Sequence, residues 1–382
     1  MRILHVMSDL DPRSGGTTEA LVGMAAAQHH AGLDVRVVVS AKEGHQNDKA
    51  EVLEALGINM QLVGPATGSL LRHPQLKPVL NQATQDADVV HVHGLWEDAQ
   101  HLACRAAQRT QTPYVVSPHG MLDPWSLSQS ALKKKMYLAL RLRRNLNRAT
   151  AMHFTTEGER RAVAPLALKC PPLVETLGLD LTEFDPPPEP GGFRALCPEL
   201  GDRTIVVFLS RLHHKKGLDL LIPAFAQASD ERHVLALVGP AASDEYEQQL
   251  RALAKDSGVA DRVVFAGMLR GADRLKAFVD AAFFALPSYQ ENFGIVVAEA
   301  LACGRPVLIS DKVNLSDFVE EQQVGRVVTT DVDAVAQAIR EMLADEKGLA
   351  ATGRRAAEAA RQAFDWPKIG ERWRDHYAKL VG

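Results

Sequence analysis

Short apolar runs alternate with stretches of helical period along most of the chain. RILHV, DVRVVV, DVVHV, PYVVS and AMHF occur in the first half; TIVVFLS, HVLALVG, RVVFAG, AAFFALPS, RPVLIS and GRVVTT occur in the second. Runs that are apolar throughout, rather than at every other position, are the mark of strands buried on both faces of a parallel sheet. The segments between them, such as Thr17 to Ala31 and Gln100 to Arg109, carry apolar residues at helical spacing. One stretch breaks the rhythm. LDLTEFDPPPEPGG, Leu179 to Gly192, is rich in Pro and Gly, which continue neither helix nor inner strand, and reads as a linker. The pattern therefore predicts an α/β protein of two doubly wound, Rossmann-like domains, residues 1–180 and 181–364. Past Gly348 the chain is too polar for another sheet. Its final segment places Trp366, Ile369, Trp373, Tyr377 and Leu380 at helical spacing, so residues 365–382 are expected to pack at the domain junction, back onto the first domain.

Composition narrows the function classes. The 382 residues exceed one ordinary core and suit two. Lys and Arg number 43 against 47 Asp and Glu, a balance that argues against nucleic acid as the main partner. The cysteines, Cys104, Cys170, Cys197 and Cys303, lie far apart with no CxxC pair, which fits a reducing cytoplasm better than a disulfide framework or a cysteine zinc site. MRILHVMSDLDP turns polar too early for a signal peptide, and no run reaches the roughly 18 apolar residues of a membrane span.

In open α/β sheets ligands bind beyond the carboxyl ends of the strands, so the residues just after each strand are the ones to question. TIVVFLS is followed by RLHHKKGLDLLIPAF, placing Arg211 at a strand end and Lys216 before the glycine that opens a helix. A guanidinium fork, an ammonium and free helix N–H groups together suit a diphosphate, though a solvated basic loop would look the same. AAFFALPS is followed by ENFGIVVAEALA. Glu291 then lies at the strand end, Gly294 lets backbone approach a ligand, and Glu299 stands among apolar neighbours about one and a half turns into a helix. A carboxylate there needs donors, and vicinal ribose hydroxyls supply two. The ordinary alternatives are an acid near a helix N-terminus for Glu291 and a solvated or Arg305-paired group for Glu299.

SRLHHKKGLDLLIPAF, the paired glutamates of ENFGIVVAE, and ALACGRPVLISD resemble glycosyltransferase family 4, retaining enzymes of the GT-B fold that use nucleotide sugars. The resemblance covers nearly the whole chain. It implies two Rossmann-like domains facing each other across a cleft, with Arg211 and Lys216 on the donor diphosphate. It places Glu291 and the backbone of Asn292, Phe293 and Gly294 at the donor sugar, Glu299 at the ribose, and Gly267 in the base-binding loop. In the first half, Gly15 and Gly16 resemble the family's glycine loop near the donor phosphate, with Thr17 or Thr18 as a helix cap. His119 in SPHG matches the family's histidine near the anomeric carbon and acceptor; His93 in HVHG is a second candidate. Trp96 and Trp125 have the rings to stack on an acceptor sugar, and equally to fill a core. No GxGxxG follows any strand, which removes the main support for a dinucleotide enzyme.

Leu132 to Arg148, LKKKMYLALRLRRNLNR, interleaves basic and apolar residues without one acid. Such a helix either lies on an anionic membrane, at the inner face of the cell membrane, or packs on a sheet with a solvated basic face. Asp9-Leu10-Asp11 and Asp331-Val332-Asp333 mimic a metal-binding DxD motif, but the GT-B resemblance implies no essential metal and no resident cofactor. One departure is Leu177 before Gly178, where the family has Asn-Gly; it puts the hinge geometry in question. The implied function is transfer of a sugar, with retention, from a nucleotide-diphosphate sugar to a saccharide or lipid-linked saccharide in cell-surface polysaccharide synthesis. A sugar-nucleotide epimerase or hydrolase, or a non-catalytic nucleotide-sugar-binding regulator, would share the frame.

Overall fold

The computed structural model describes residues 1–11, 16–44 and 48–382. The chain forms two compact units, one of Met1–Gly178 with Asp365–Gly382 and one of Leu179–Phe364.

The first unit is built on seven parallel strands: β1 Arg2–Met7, β2 Asp34–Lys42, β3 Asn59–Ala66, β4 Val89–His93, β5 Tyr114–Ser117, β6 Ala151–Phe154 and β7 Pro172–Val174, in the order β3-β2-β1-β4-β5-β6-β7. The apolar runs read from the sequence supply β1, β2, β4, β5 and β6. β3 and β7 escape that reading because they lie at the sheet edges; β3 is mostly exposed, with Val63 and Ala66 buried, and carries Gly64 and Pro65. The second unit holds six parallel strands: β8 Thr204–Leu209, β9 His233–Val238, β10 Val263–Gly267, β11 Ala281–Leu286, β12 Val307–Ser310 and β13 Gly325–Val328, in the order β10-β9-β8-β11-β12-β13. All six coincide with runs read from the sequence. In each unit the order reverses once, between β1 and β4 and between β8 and β11, and at such a reversal the crossing helices diverge and leave a crevice at the strands' carboxyl ends.

The helix Trp366–Val381 closes the first unit by packing along the helix Gly16–His30. Ile369, Trp373 and Tyr377 are fully buried there. A Cβ on Gly370 would stand 2.3 Å from the carbonyl oxygen of Ala27, so the two helices touch backbone to backbone. Trp366 has a comparable fit: a Cβ on Gly23 or on Gly178 would come within 2.5 or 2.6 Å of its ring. Gly178 is therefore required by the indole against it. It is not among the residues of positive φ, so the Asn-favoured turn absent at Leu177 is not the conformation adopted.

Candidate functional site

The two loops that leave the β8/β11 reversal are locked together. Gly217, between the short 3-10 turn His214–Lys216 and the helix Leu218–Ala228, has φ of 70°, and a Cβ on it would lie 2.0 Å from the carbonyl oxygen of Pro287. Only glycine allows both the left-handed turn and this approach. The N–H of Tyr289 donates to the carbonyl of Lys215 at 2.8 Å, joining the loops by backbone. The consequence is that Lys216 Nζ donates to a carboxylate oxygen of Glu291, both side chains less than one-fifth exposed. Glu291 is fixed from its other side, its N–H to the carbonyl of Lys312 and its C=O accepting from Asn314. One of the three ammonium protons of Lys216 is committed; the other two have no partner among the described residues. Arg211 stands exposed at the head of the same loop, without a hydrogen bond or ion pair among the described residues. His213 is half-buried; its imidazole caps the turn by accepting from the N–H of Lys215.

Past Glu291, Gly294 takes φ of 73° and opens the helix Ile295–Ala302. The Phe293 ring turns inward, edge-on to Phe364 at 5.7 Å, leaving its backbone as the part that a ligand could meet. Asn292 accepts from Asn314 at 3.4 Å. Glu299 is not the unpartnered carboxylate the sequence suggested. Arg274, on the helix Ala272–Asp280, reaches one of its oxygens at 3.2 and 3.3 Å and holds Glu183 at 2.5 Å. Arg305, the pairing partner considered for Glu299, instead donates to the carbonyls of Ala281 and Cys303. Gly267 ends β10 with φ of 67°, exposed, at a shift in strand register.

In the first unit, Gly15 lies outside the described residues, and Gly16 begins the helix Gly16–His30. Thr17 and Thr18 fall inside that helix and so do not cap it; the buried Thr18 hydroxyl donates to the carbonyl of Asp11. Asp9 accepts from the N–H of Asp11, and Asp331 from the N–H groups of Asp333 and Ala334, so each DxD lookalike has a local turn or capping task.

His119 follows β5 with φ of 49°, a left-handed turn uncommon outside glycine. The loop is pinned by Glu159, a buried carboxylate that accepts from the N–H of Gly120 at 2.6 Å and from the N–H and hydroxyl of Thr155. His119 Nε2 lies 3.0 Å from Nδ1 of His93, whose ring stacks beneath it at 5.3 Å. His5, His91 and His153 continue the row on the same sheet face. In-register pairing of β1, β4, β5 and β6 aligns every second residue. Burial pushes His5 and His153 down to about 4 and His119 to about 3, and holds His91 and His93 well below the ordinary histidine range. His5, His91 and His93 are close enough to share an ion, yet each of their ring nitrogens already has a hydrogen-bond partner. Trp96 is half-buried, edge-on to Tyr137 with Lys134 Nζ 5.4 Å above its ring, and Trp125 is half-buried in the turn capped by Asp123.

Comparison with known proteins decides the family. Residues 15–174 match the glycosyl transferase 4-like domain and residues 198–362 match glycosyl transferases group 1. A GDP-mannose-dependent alpha-(1-6)-phosphatidylinositol monomannoside mannosyltransferase of Mycolicibacterium smegmatis is 30% identical over 97% of this chain and 96% of its own. The chain belongs to the group 1 glycosyltransferases. A D-inositol 3-phosphate glycosyltransferase of Kineococcus radiotolerans is 25% identical over 96% of this glycosyltransferase and 91% of its own length. Among solved structures, Anabaena HepE in complex with UDP superposes with a TM-score of 0.80 at 23% identity, covering 99% of this chain and 100% of that one. WaaG, a glycosyltransferase involved in lipopolysaccharide biosynthesis, superposes with 0.72 at 18% identity over 98% and 99%. The fold of this glycosyltransferase is thus GT-B.

Sequence reasoning brought Lys216, Glu291 and Gly294 together and named His119 and His93 as separate candidates, which the structure sets 3.0 Å apart. It missed Arg274, Glu159 and the histidine row. RILHV, DVVHVH and AMHF carried a signal for the row: histidines on one face of otherwise apolar strands, each needing a buried partner.

Proposed function

We propose that this glycosyltransferase moves a sugar, with retention, from a nucleotide-diphosphate sugar to a saccharide or lipid-linked saccharide acceptor, in the synthesis of a cell-surface polysaccharide. The observation that carries the reading is the Lys216–Glu291 pair at the β8/β11 reversal, with two unused ammonium protons and Arg211 exposed at the head of the same loop. An ammonium and a guanidinium fork receive a diphosphate as its bond to the sugar breaks, stabilising charge where it develops. The C1–O bond to phosphate breaks, the acceptor oxygen bonds to C1 on the same face, and the hydroxyl proton passes to the departing phosphate oxygen. Glu291, held in place by Lys216, orients the sugar. Glu299 takes the ribose hydroxyls and Gly267 leaves room for the base. His119 binds a sugar hydroxyl in the first unit, where Trp96 and Trp125 are the stacking candidates. No metal is needed in this scheme, because the cations that meet the diphosphate are side chains.

A lipid-linked acceptor finds support in the helical run of residues 131–146. Leu138, Leu142 and Leu146 are buried, whereas Leu132 and Leu140 are each 81% exposed and Met136 is 58% exposed. The exposed three are four residues apart and so share one helix face, with Lys133, Lys135 and Arg144 exposed nearby. No helix among the described residues is long and apolar enough to cross a membrane, so this face would rest on the inner surface of the cell membrane from the cytoplasm.

Thermal unfolding with UDP, GDP, ADP and dTDP, on wild type and Arg211→Ala, tests the donor site. Ligand at about 100 times Kd contributes roughly 2.7 kcal/mol. One diphosphate should stabilise the wild type by several degrees and the variant far less; no stabilisation by any would defeat the reading. The anomeric configuration of the product, read by NMR, tests retention.

A further inference from the structure

The histidine row of the first unit is part of one unbroken hydrogen-bonded chain. It runs His119 Nε2 to His93 Nδ1 (3.0 Å), His93 Nε2 to His5 Nδ1 (2.8 Å), and His5 Nε2 to Gln28 Oε1 (2.8 Å). Gln28 Nε2 meets Tyr377 Oη (3.0 Å), Tyr377 Oη meets His91 Nδ1 (2.6 Å), and His91 Nε2 meets Ser117 Oγ (2.6 Å). Ser117 Oγ then meets His153 Nδ1 (2.7 Å), and His153 Nε2 reaches the carbonyl oxygen of Glu175 (2.8 Å).

That last acceptor orients everything before it. A carbonyl cannot donate, so His153 carries its proton on Nε2, and neutral His153 accepts on Nδ1 from the Ser117 hydroxyl. Ser117 then accepts from His91 Nε2–H, which leaves His91 Nδ1 to accept from the Tyr377 hydroxyl. Tyr377 accepts from the amide of Gln28, whose carbonyl accepts from His5 Nε2–H. By the same step His93 donates from Nε2 to His5, and His119 donates from Nε2 to His93. Reversing the chain would put two protons on His153, a cation among buried groups. The burial-lowered basicity of all five rings is consistent with the neutral chain.

We infer that this chain fixes His119 as its Nε2–H tautomer, so that Nδ1, which has no hydrogen-bond partner among the described residues, is presented as an acceptor for a sugar hydroxyl. His93, His5, Gln28, Tyr377, His91, Ser117 and His153 are then positioning residues that act through His119. The specificity follows from the chemistry: an acceptor nitrogen selects a hydroxyl and disfavours a carbonyl or ether oxygen at the same place. That a sugar supplies the hydroxyl rests on the transferase reading; the tautomer does not.

The test is long-range 1H–15N correlation of the imidazole rings in the ligand-free full chain at pH 7, with His119 assigned by its loss in His119→Asn. Wild type should show His119 in one form, protonated at Nε2 and unprotonated at Nδ1. Tyr377→Phe and Ser117→Ala cut the chain at different links, and in each His119 should shift to a mixture of tautomers. Either variant suffices if the other fails to fold. Wild-type His119 protonated at Nδ1, or a spectrum unchanged in a folded variant, overturns the inference. In transfer assays the folded variant should lose about tenfold in kcat, with KM for the nucleotide sugar little changed, as for one hydrogen bond to the reacting complex. Absence of transfer by wild type with every donor would defeat the transferase reading while leaving the tautomer result standing.

Discussion

Lys216 and Glu291 are 75 positions apart, yet the first donates to the second inside a pair of loops held close at Gly217, where a Cβ would lie 2.0 Å from the Pro287 carbonyl oxygen. Neither side chain chose the other through local sequence. The backbone contact of Gly217 with Pro287 sets their separation, and the charges then settle.

Removing Lys216 should weaken diphosphate binding by one to two orders of magnitude, measured by calorimetric titration, because the anion loses an ammonium and gains an uncompensated Glu291. Glu291→Gln keeps the ammonium and removes the negative neighbour. It should leave nucleoside-diphosphate affinity equal or better while lowering kcat with the intact nucleotide sugar. Equal losses of affinity in both variants would show that the pair acts only as a structural clip.

Arg274 bridges Glu299 and Glu183, with Arg274 and Glu299 side chains less than one-quarter exposed. Arg274→Ala should lower unfolding free energy by about 1–2 kcal/mol, a figure discounted for residual solvent contact. Adding Glu299→Gln should restore part of it. A urea melt of wild type and the single and double variants measures both effects; no recovery in the double variant would mean that Arg274 stabilises through packing.

Acid should weaken the protein well above the carboxylate range. His5, His91, His93, His119 and His153 have folded basicities below the unfolded value near 6.5, so below that pH the unfolded chain binds more protons than the native one. Stability is therefore fully present above pH 6.5 and lost progressively as the pH falls, through about 4 for His5 and His153 and about 3 for His119. At pH 5.5 unfolding should take up about four protons from these rings. Calorimetry in buffers of different ionisation heat counts them, and an uptake near zero would contradict the buried neutral row.

The exposed apolar face of residues 132–140 gives the fourth expectation. Leu132→Gln with Leu140→Gln should abolish sedimentation with vesicles containing anionic phosphatidylglycerol while leaving the melting temperature within about 2 °C, since both side chains are solvent-facing. Wild type that stays in the supernatant at low salt would dismiss the membrane face.

How much of this could be read in advance depended on whether a residue's task was local. Strands β8 to β13 were legible because each is an apolar run bounded by turn residues, while β3, an edge strand with Gly64 and Pro65, gives no such run. Lys216, Glu291 and Gly294 were legible because strand ends are where open sheets bind ligands. Arg274 was not: on the helix Ala272–Asp280 it looks like any surface arginine, and only tertiary packing brings it to Glu299. The histidines repeat every second residue in β4, and the helical spacing of Trp373 and Tyr377 marks a buried face on the last helix, but nothing in that spacing says that the Tyr377 hydroxyl and the Gln28 amide join the row.

The helix that carries Tyr377 also fixes an order of events in synthesis. The first unit consists of two stretches of sequence, Met1–Gly178 and Asp365–Gly382, separated by all of the second. On the ribosome the first seven strands emerge long before the helix that covers their histidine face. Until residues 366–381 appear, His91 lacks its phenolic partner, and the backbone groove at Ala27 stands open to water and to chaperones. The second unit, encoded without interruption, has no such wait. A released chain that ends before Trp366 should thus hold a finished second unit and an unfinished first one.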